Sequence, residues 1–447
     1  MYREKDLELI TQNIPTIESK ANEIYINSYE PTIHENRKVY KVIKEYLKNN
    51  NLLIYGGYAQ NSLIEKKYRK DAFYKESDLP DIEFYSYEPL KDLINICDIL
   101  HKEGFKHVEG KEGVHPGTYK IFVNFVDYLD MSFMPKNVFK NTPYIVSEGL
   151  RMTHPHFMLI DAYRVYSDPM TSYFRLHKTF PRFTTLLNHY PFNMNSIYNS
   201  IDYEIKLIEK DYDKINSYIK NKIIYDSKFI IIGFHAFNRL MKKAKMAETY
   251  FIQEPYYQII TTNYNEDKNK IFDLLSKNFK EITKKSYYPF FQFFDATTEY
   301  YYKDQLIMRL YGNNERCIVY NYSSKKKTNF GTSQLLILYF LAHYNLAIIR
   351  QNRFNQTVTM TMITRLFKAR DKFLEKSNLT ILDKSPFQEF TMKCIGDTVN
   401  PLRQALLTGL QRRKAGKKMK FSYRPSGNPG KVPDYRFDDI SGNLIKK

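Results

Sequence analysis

The stretch from Leu52 to Glu83 restricts what this chain can fold into more than any other. It reads LLIYGGYAQNSLI, then a polar linker, then SDLPDIEF. The apolar run Leu52, Leu53, Ile54, Tyr55 is strand-like and stops at Gly56-Gly57, and the residues that follow read as a helix containing Asn61, Leu63 and Ile64. Glycines directly after a strand let the backbone approach a ligand, and the N–H groups that open the next helix can hold an anion such as a triphosphate. Asp81 and Glu83 then flank Ile82 in a second strand-like run. Side chains alternate along a strand, so the two carboxylates share one face while Ile82 enters the core.

Two carboxylates at this spacing suit hard divalent cations, which are held by oxygen ligands together with substrate phosphates. A third carboxylate from a neighbouring strand would complete a two-ion site for in-line displacement at phosphorus. The run YKIFVNFVDYLDMSF offers Asp130, with Asp127, nearer the expected turn, as the second choice. Taken singly these features are commonplace, since D-x-E pairs decorate solvated strand faces and Gly-Gly marks turns. Their order is what points to chemistry.

Strand, Gly-Gly, helix, D-x-E and a later strand-borne Asp is a pattern that resembles the DNA polymerase β-like nucleotidyltransferases. The form GGYAQNSLI with DIEF is similar to that of the poly(A) polymerases of large cytoplasmic DNA viruses, of poxvirus and giant-virus type. Glu83 stands where Asp is usual in that family; it keeps the charge and reaches one methylene further. The resemblance implies template-independent addition of AMP from ATP to an RNA 3′ end. It further implies two Mg²⁺ or Mn²⁺ ions on Asp81, Glu83 and Asp130, and a triphosphate held at Gly56, Gly57 and Asn61. A basic helical region behind the catalytic unit would add Arg175 and Lys178, whose alternative is a solvated basic face. RNA and ATP are the expected partners, with a second copy of the chain or a viral processivity subunit as the protein partner. The expected setting is the host cytoplasm during infection, with packaging in the virion as a further option.

The chain is long enough for two domains or more. Its formal charge of +19 argues for a polyanionic partner, with nucleic acid ahead of membrane, because no amphipathic anchor or lipidation signal accompanies it. Cys97, Cys317 and Cys394 are widely spaced and form no C-x-x-C, which reads as three core thiols in a reducing compartment and no zinc site. The amino-terminal residues show no apolar signal region, and the longest apolar run, Leu335 to Ala342, is too short to span a bilayer.

A second feature concerns organisation. FIIIGFHAFNRLM, Phe229 to Met241, repeats Leu52 to Ile64 without a gap, pairing Gly233 with Gly56, Ala236 with Ala59, Asn238 with Asn61 and Leu240 with Leu63. Weaker blocks follow in the same order, which favours duplication. At the positions of Asp81 and Glu83 the second copy has Tyr256 and Gln258, and Phe234 replaces Gly57, so this copy is expected to be inactive and to help form an RNA channel.

The fold expected is α/β with a duplicated nucleotidyltransferase palm. The divisions are a helical region at 1–50, a catalytic domain at 51–145, helical connections at 146–220, a degenerate copy at 221–325, and C-terminal helices with a basic tail at 326–447. Within the connections, Asp168-Pro169 is expected to open a helix that places Arg175, Lys178 and, where Pro181 does not end it first, Arg182 near one face, and residues 196–222 to form one long polar helix. The tail sets Arg412, Arg413, Lys414, Lys417, Lys418 and Lys420 beside Phe421 and Tyr423, which suits phosphate neutralisation and base stacking on single-stranded RNA; a disordered solubilising tail or a nuclear localisation-like cluster is the alternative. Two rival functions are a different terminal transferase, CCA-adding or oligouridylating, and a catalytically idle RNA-binding subunit.

Overall fold

The computed structural model describes residues 2–28, 33–75, 78–192, 203–205, 207–225, 228–313, 316–324, 327–417, 420–425, 435–437 and 444–446. Two helices, α1 (Glu4–Ser28) and α2 (Ile33–Asn49), precede the first sheet. Its elements are β1 (Leu53–Tyr55), α3 (Gly56–Lys67), β2 (Ile82–Ser86), α4 (Pro89–Lys102), β3 (Glu109–Glu112), β4 (Thr118–Val123), β5 (Val126–Phe133), α5 (Lys136–Asn141), β6 (Tyr144–Ser147) and β7 (Leu150–Thr153). Helices α6 (Pro155–Tyr166), α7 (Leu176–His189) and α8 (Glu209–Tyr218) lead to the second sheet. That unit contains β8 (Ile230–Ile232), α9 (Gly233–Lys243), α10 (Ala247–Tyr250), β9 (Tyr257–Thr261), α11 (Tyr264–Asn278), β10 (Ile282–Tyr287), β11 (Thr297–Tyr302), β12 (Gln305–Gly312), β13 (Ile318–Ser323) and β14 (Thr328–Gly331). Helices α12 (Ser333–Ile349) and α13 (Arg353–Ser377), strand β15 (Cys394–Ile395), helix α14 (Pro401–Lys414) and strand β16 (Ser422–Tyr423) follow.

The two sheets have one topology. The first runs β3-β4-β5-β2-β1-β7-β6 and the second β10-β11-β12-β9-β8-β14-β13, strand for strand. In both, the helix after the first strand starts at a glycine in the left-handed region, Gly56 at φ +70° and Gly233 at φ +65°. The duplication seen in FIIIGFHAFNRLM therefore extends over the whole unit. The buried faces follow the alternation of the sequence: Tyr119, Ile121 and Val123 of β4 point inward, while Lys120 and Phe122 do not. Helix α4 covers the inward face, its Leu93 lying where a side chain on Gly110 would have to go.

The copies meet through matched helices, α6 packing on α12, and α12 packing in turn on α13. The loop before β11 adds aromatic contacts, Phe291 against Tyr85 at 5.5 Å and Phe293 against Phe157 at 5.0 Å. Each sheet also gains an edge strand from the C-terminal part of the chain, β16 on β3 and β15 on β13.

Several sequence expectations need correction. Cys317 and Cys394 are not core thiols but a disulfide, because β15 folds back beside β13 and brings their Cα atoms to 5.3 Å across a sequence separation of 77. Cys97 remains a buried free thiol. The long polar helix is absent from the described part of 196–222, whose residues 196–202 and 206 lie outside the description; α8 is short and passes into a π-helical turn at Ile219–Ile224. The buried residues Ile215, Ile219 and Ile223 give it a narrow apolar edge to pack. Asp168 caps a turn rather than a helix, its Oδ1 accepting from the N–H groups of Met170 and Thr171 at 3.2 and 3.1 Å. The helix itself begins at Leu176 and continues through Pro181. The region after 146 is not wholly helical either, since β6 and β7 belong to the first sheet.

Candidate active site

The site forms where β1, α3, β2 and β5 converge. Strand β2 runs parallel to β5 with Glu83 directly paired to Asp130, so these two carboxylates lie side by side on one sheet face. Asp81 is half-buried at the entrance of β2. That entrance is held by Tyr40 of α2, whose hydroxyl donates to the carbonyl of Pro80.

Gly56 is required by close approach. A Cβ there would fall 1.6 Å from Glu83 Oε2, and φ is already positive. Gly57 donates its N–H to Glu83 Oε2 at 2.8 Å. The amide expected to meet a phosphate is therefore spent on the carboxylate, leaving the other free N–H groups of the first turn of α3 for an anion. Gly57 is also needed as glycine, because a Cβ would lie 2.6 Å from the Tyr74 hydroxyl and 3.0 Å from Arg182 Nη1.

Burial drives the electrostatics. The Glu83 carboxyl is pushed up to about 7 by desolvation, with Asp81 and Asp130 adding to the rise and the Gly57 N–H and Lys178 opposing it. Desolvation likewise raises Asp130 and Asp127, against the pull of Lys120. Lys120, directly opposite Asp130 on β4, pairs with Asp130 at 2.6 Å and with Asp127 on its other side. Burial alone would lower the Lys120 ammonium, but the two carboxylates outweigh it and hold it above the ordinary lysine range.

The donor set fits hard divalent cations. It is all carboxylate oxygen, negative charge is crowded enough to raise Glu83, and Asp127 Oδ1 is buried without a hydrogen-bond partner. Among the described residues no three acidic, His or Cys side chains are already gathered tightly enough to hold a metal. The Lys120 ammonium occupies the space between Asp127 and Asp130 that a cation on Asp130 would contest.

The other sequence candidates divide. Lys178 on α7 lies near enough for its charge to act on Glu83. Arg175 does not join it: its guanidinium lies over the Phe174 ring at 5.5 Å, and its charge acts on His115. Asn61 is buried, and its Oδ1 accepts the N–H groups of Phe73 and Tyr74 at 2.8 and 2.9 Å, so it braces the loop that carries Tyr74. Asn238 repeats this bracing in the second copy through the N–H of Ile252 at 3.1 Å. In the tail, Arg412 is paired with Glu112 at 2.7 Å, and β16 docks on the catalytic sheet, so this part of the tail is ordered structure and not a free arm. Arg413, Lys414 and Lys417 are exposed, and Lys418 lies outside the described residues.

Two further residues lie at the candidate site. Arg182 stands over Phe73 and Tyr74, 4.2 and 5.1 Å from the ring centroids, with its Nη1 close to Gly57; continuation of α7 through Pro181 puts it there. Lys120 was legible only through hairpin register, which places it across from Asp130.

Comparisons with known proteins agree over the whole chain. Residues 41–172 match the family "Poly(A) polymerase catalytic subunit", and residues 184–447 match the family "APMV, Putative poly(A) polymerase, catalytic subunit, C-terminal". The chain is 31% identical to the "Putative poly(A) polymerase catalytic subunit" of Acanthamoeba polyphaga mimivirus, covering 99% of this chain and 83% of that protein. A protein of the same description from African swine fever virus (strain Badajoz 1971 Vero-adapted) is 26% identical over 37% of this chain and 36% of its own length. The crystal structure of the Megavirus polyadenylate synthase superposes with a TM-score of 0.92 at 30% identity, covering 100% of this chain and 93% of that one. The chain belongs to the family of viral poly(A) polymerase catalytic subunits, and is an adenylyltransferase.

Proposed function

We propose that Asp81, Glu83 and Asp130 carry the adenylyl transfer of this poly(A) polymerase, joining the α-phosphate of ATP to the 3′-hydroxyl of RNA with release of pyrophosphate. The observation that carries this reading is the register that sets Asp130 beside Glu83, with Glu83 held by the Gly57 amide at the mouth of α3. These three residues would hold two Mg²⁺ or Mn²⁺ ions, which supply a lowered pKa for the attacking hydroxyl and charge neutralisation for the departing pyrophosphate.

The chain's own groups do the rest. The start of α3, bare of side chains at Gly56 and Gly57, admits the triphosphate to backbone N–H groups and to the positive end of the helix. Lys178 and Arg182 bring positive charge from α7 to the same place, and stacking on Phe73 and Tyr74 fixes the direction of the Arg182 guanidinium. Lys120 keeps Asp130 and Asp127 in place until a stronger cation competes for Asp130. Arg413, Lys414 and Lys417 at the end of α14 contact RNA outside the catalytic centre. The protein acts in the host cytoplasm or is carried in the virion, with a second copy of the chain or a viral processivity subunit as protein partner. No helix among the described residues is long and apolar enough to cross a membrane.

The decisive experiment extends a labelled RNA primer with each of the four nucleoside triphosphates, with Mg²⁺, with Mn²⁺ and with chelator, beside Asp81→Ala. A metal-dependent ladder with ATP alone, absent in the variant while RNA still binds, is expected. Growth with CTP or UTP instead would keep the site and overturn the base assignment. Failure of the wild-type protein to extend while it binds RNA would favour an idle subunit.

A further inference from the structure

The open face of the catalytic sheet does not end at the carboxylates. Cross-strand pairing carries it outward from Glu83 to Asp130, from Asp130 to Lys120 and from Lys120 to Lys111, while Phe122 pairs with Asp127 and with Glu109. Paired residues share a face, so one continuous surface leads from the site to the edge of β3. At its outer end is a cavity of about 230 Å³ lined by His107, Glu109, Lys111, Phe122, Phe125 and Arg424.

Phe125 is the unusual member. It is 79% exposed, more than any other large apolar residue among the described ones. It occupies the two-residue turn between β4 and β5, where Asn124 and Phe125 have φ of 49° and 67°. Hairpin turns with both φ values positive call for Asn-Gly, and an aromatic residue in the second position is held there at a conformational cost. One face of its ring is backed by His107, itself at φ 50°, with centroids 5.0 Å apart and planes 28° from parallel. Beside it, Lys111 lies 4.2 Å from the Phe122 ring. The acid in the cavity, Glu109, is neutralised by Lys111 at 3.2 Å and by Arg424 at 3.0 Å. Arg424 arrives with β16, so docking of the tail supplies a cation here.

We propose that this corner is a seat for the RNA strand upstream of its reacting 3′ end. A base stacks on the exposed face of Phe125, and the adjoining phosphates are held by Lys111 and Arg424. Aromatic faces accept any base while cations follow the backbone, which is the chemistry of sequence-tolerant single-strand binding. The seat lies roughly 15 Å along β5 from Asp130, a span that a stacked strand crosses in about four or five nucleotides. The proposal rests on the reading of Asp130 as the place where the 3′ end reacts.

The test is fluorescence anisotropy on the full-length protein with two oligoadenylates, a trinucleotide and a strand of about ten nucleotides. The trinucleotide reaches the catalytic residues but not Phe125. Phe125→Ala is expected to weaken binding of the longer strand about tenfold and leave the trinucleotide as it was, with Phe125→Tyr restoring the loss. Lys111→Met should reduce the salt dependence of the longer strand by about 0.7 in log–log slope, the contribution of one phosphate contact on a single strand. Unchanged binding of the longer strand by Phe125→Ala, or equal weakening at both lengths, would overturn the seat. Primer extension by the wild-type protein reports separately on the carboxylates, so either reading can fail alone.

Discussion

At Gly56 and at Gly233 the chain leaves its first strand with the same left-handed φ, and in both places a neighbour occupies the space a side chain would need. In the first copy the neighbour is Glu83; in the second it is Gln258, whose Oε1 lies 1.7 Å from where a Gly233 Cβ would be. One step across the sheet the contrast sharpens. Asp130 pairs with Glu83, whereas Arg309 pairs with Gln258. A further step away, Lys120 stands opposite Asp130 and Glu299 opposite Arg309. The ion pair survives with its charges exchanged.

That exchange separates what the scaffold needs from what chemistry needs. The second copy satisfies itself: Arg309 donates to Glu299 at 2.8 Å and to the hydroxyls of Tyr256 and Tyr311, and Gln258 donates to Tyr311 at 3.2 Å. The first copy leaves Glu83 and Asp130 crowded and desolvated beside Asp81, a state that an added cation relieves. Shape is therefore kept in both copies, and unbalanced negative charge in only one.

The largest expected effect breaks the comparison at its centre. Asp130→Asn should lower the rate of adenylyl transfer by at least roughly a thousandfold, since it removes a charge assigned to the proposed site and little volume. The matched change, Arg309→Leu, should leave transfer per folded molecule as it was. Single-turnover primer extension on both variants checks this, and comparable losses in the two would end the distinction between a working and an idle copy.

Stability should show the reverse asymmetry. Arg309→Leu leaves Glu299 buried beside the neutral hydroxyls of Tyr301 and Tyr287 without its guanidinium, and breaking a buried pair from one side costs about 3–5 kcal/mol. Replacing Glu299 with Leu as well should recover most of the loss, because two apolar groups of similar size fill the site without a stranded charge. Urea unfolding of the single and double variants measures the difference, and a double variant no better than the single would show that the pair is not the source.

The sequence carried the shared plan because the plan rests on local signals: a strand, a glycine with positive φ, and a helix with Asn61 or Asn238 at matched positions. It offered Asp81, Glu83 and Asp130 as candidates for the same reason, since alternation along a strand fixes the face. Lys120, Arg309 and Glu299 were hidden because their meaning depends on which strands become neighbours. Distant pairing likewise concealed the disulfide of Cys317 and Cys394 and the seating of Arg412 on Glu112. The place of Arg182 hung on a local rule, that proline ends helices, which the packing of Phe183 and Leu186 overrides in α7.

The smallest effect tests the charge argument without catalysis. In metal-free protein the Glu83 carboxyl is pushed up to about 7, chiefly by burial, whereas in the unfolded chain it titrates at about 4.3. The folded state thus holds a proton that the unfolded state releases. Its contribution to stability is complete below the unfolded value and is lost as pH rises through 7, amounting to about 4 kcal/mol at most. Glu83→Gln removes this dependence, and Gln258 shows that an amide fits beside the glycine at this position. With chelator present, Glu83→Gln should gain on the wild type as pH rises from 5 to 7 and keep its lead above, by thermal unfolding. Excess Mg²⁺ or Mn²⁺ should then reverse the order at pH 8, because only the wild type keeps the carboxylate set that binds the cation and gains stability by mass action. A variant whose melting curve tracks the wild type at every pH would mean that Glu83 is not held at a charge disadvantage, and the contrast with Gln258 would reduce to shape alone.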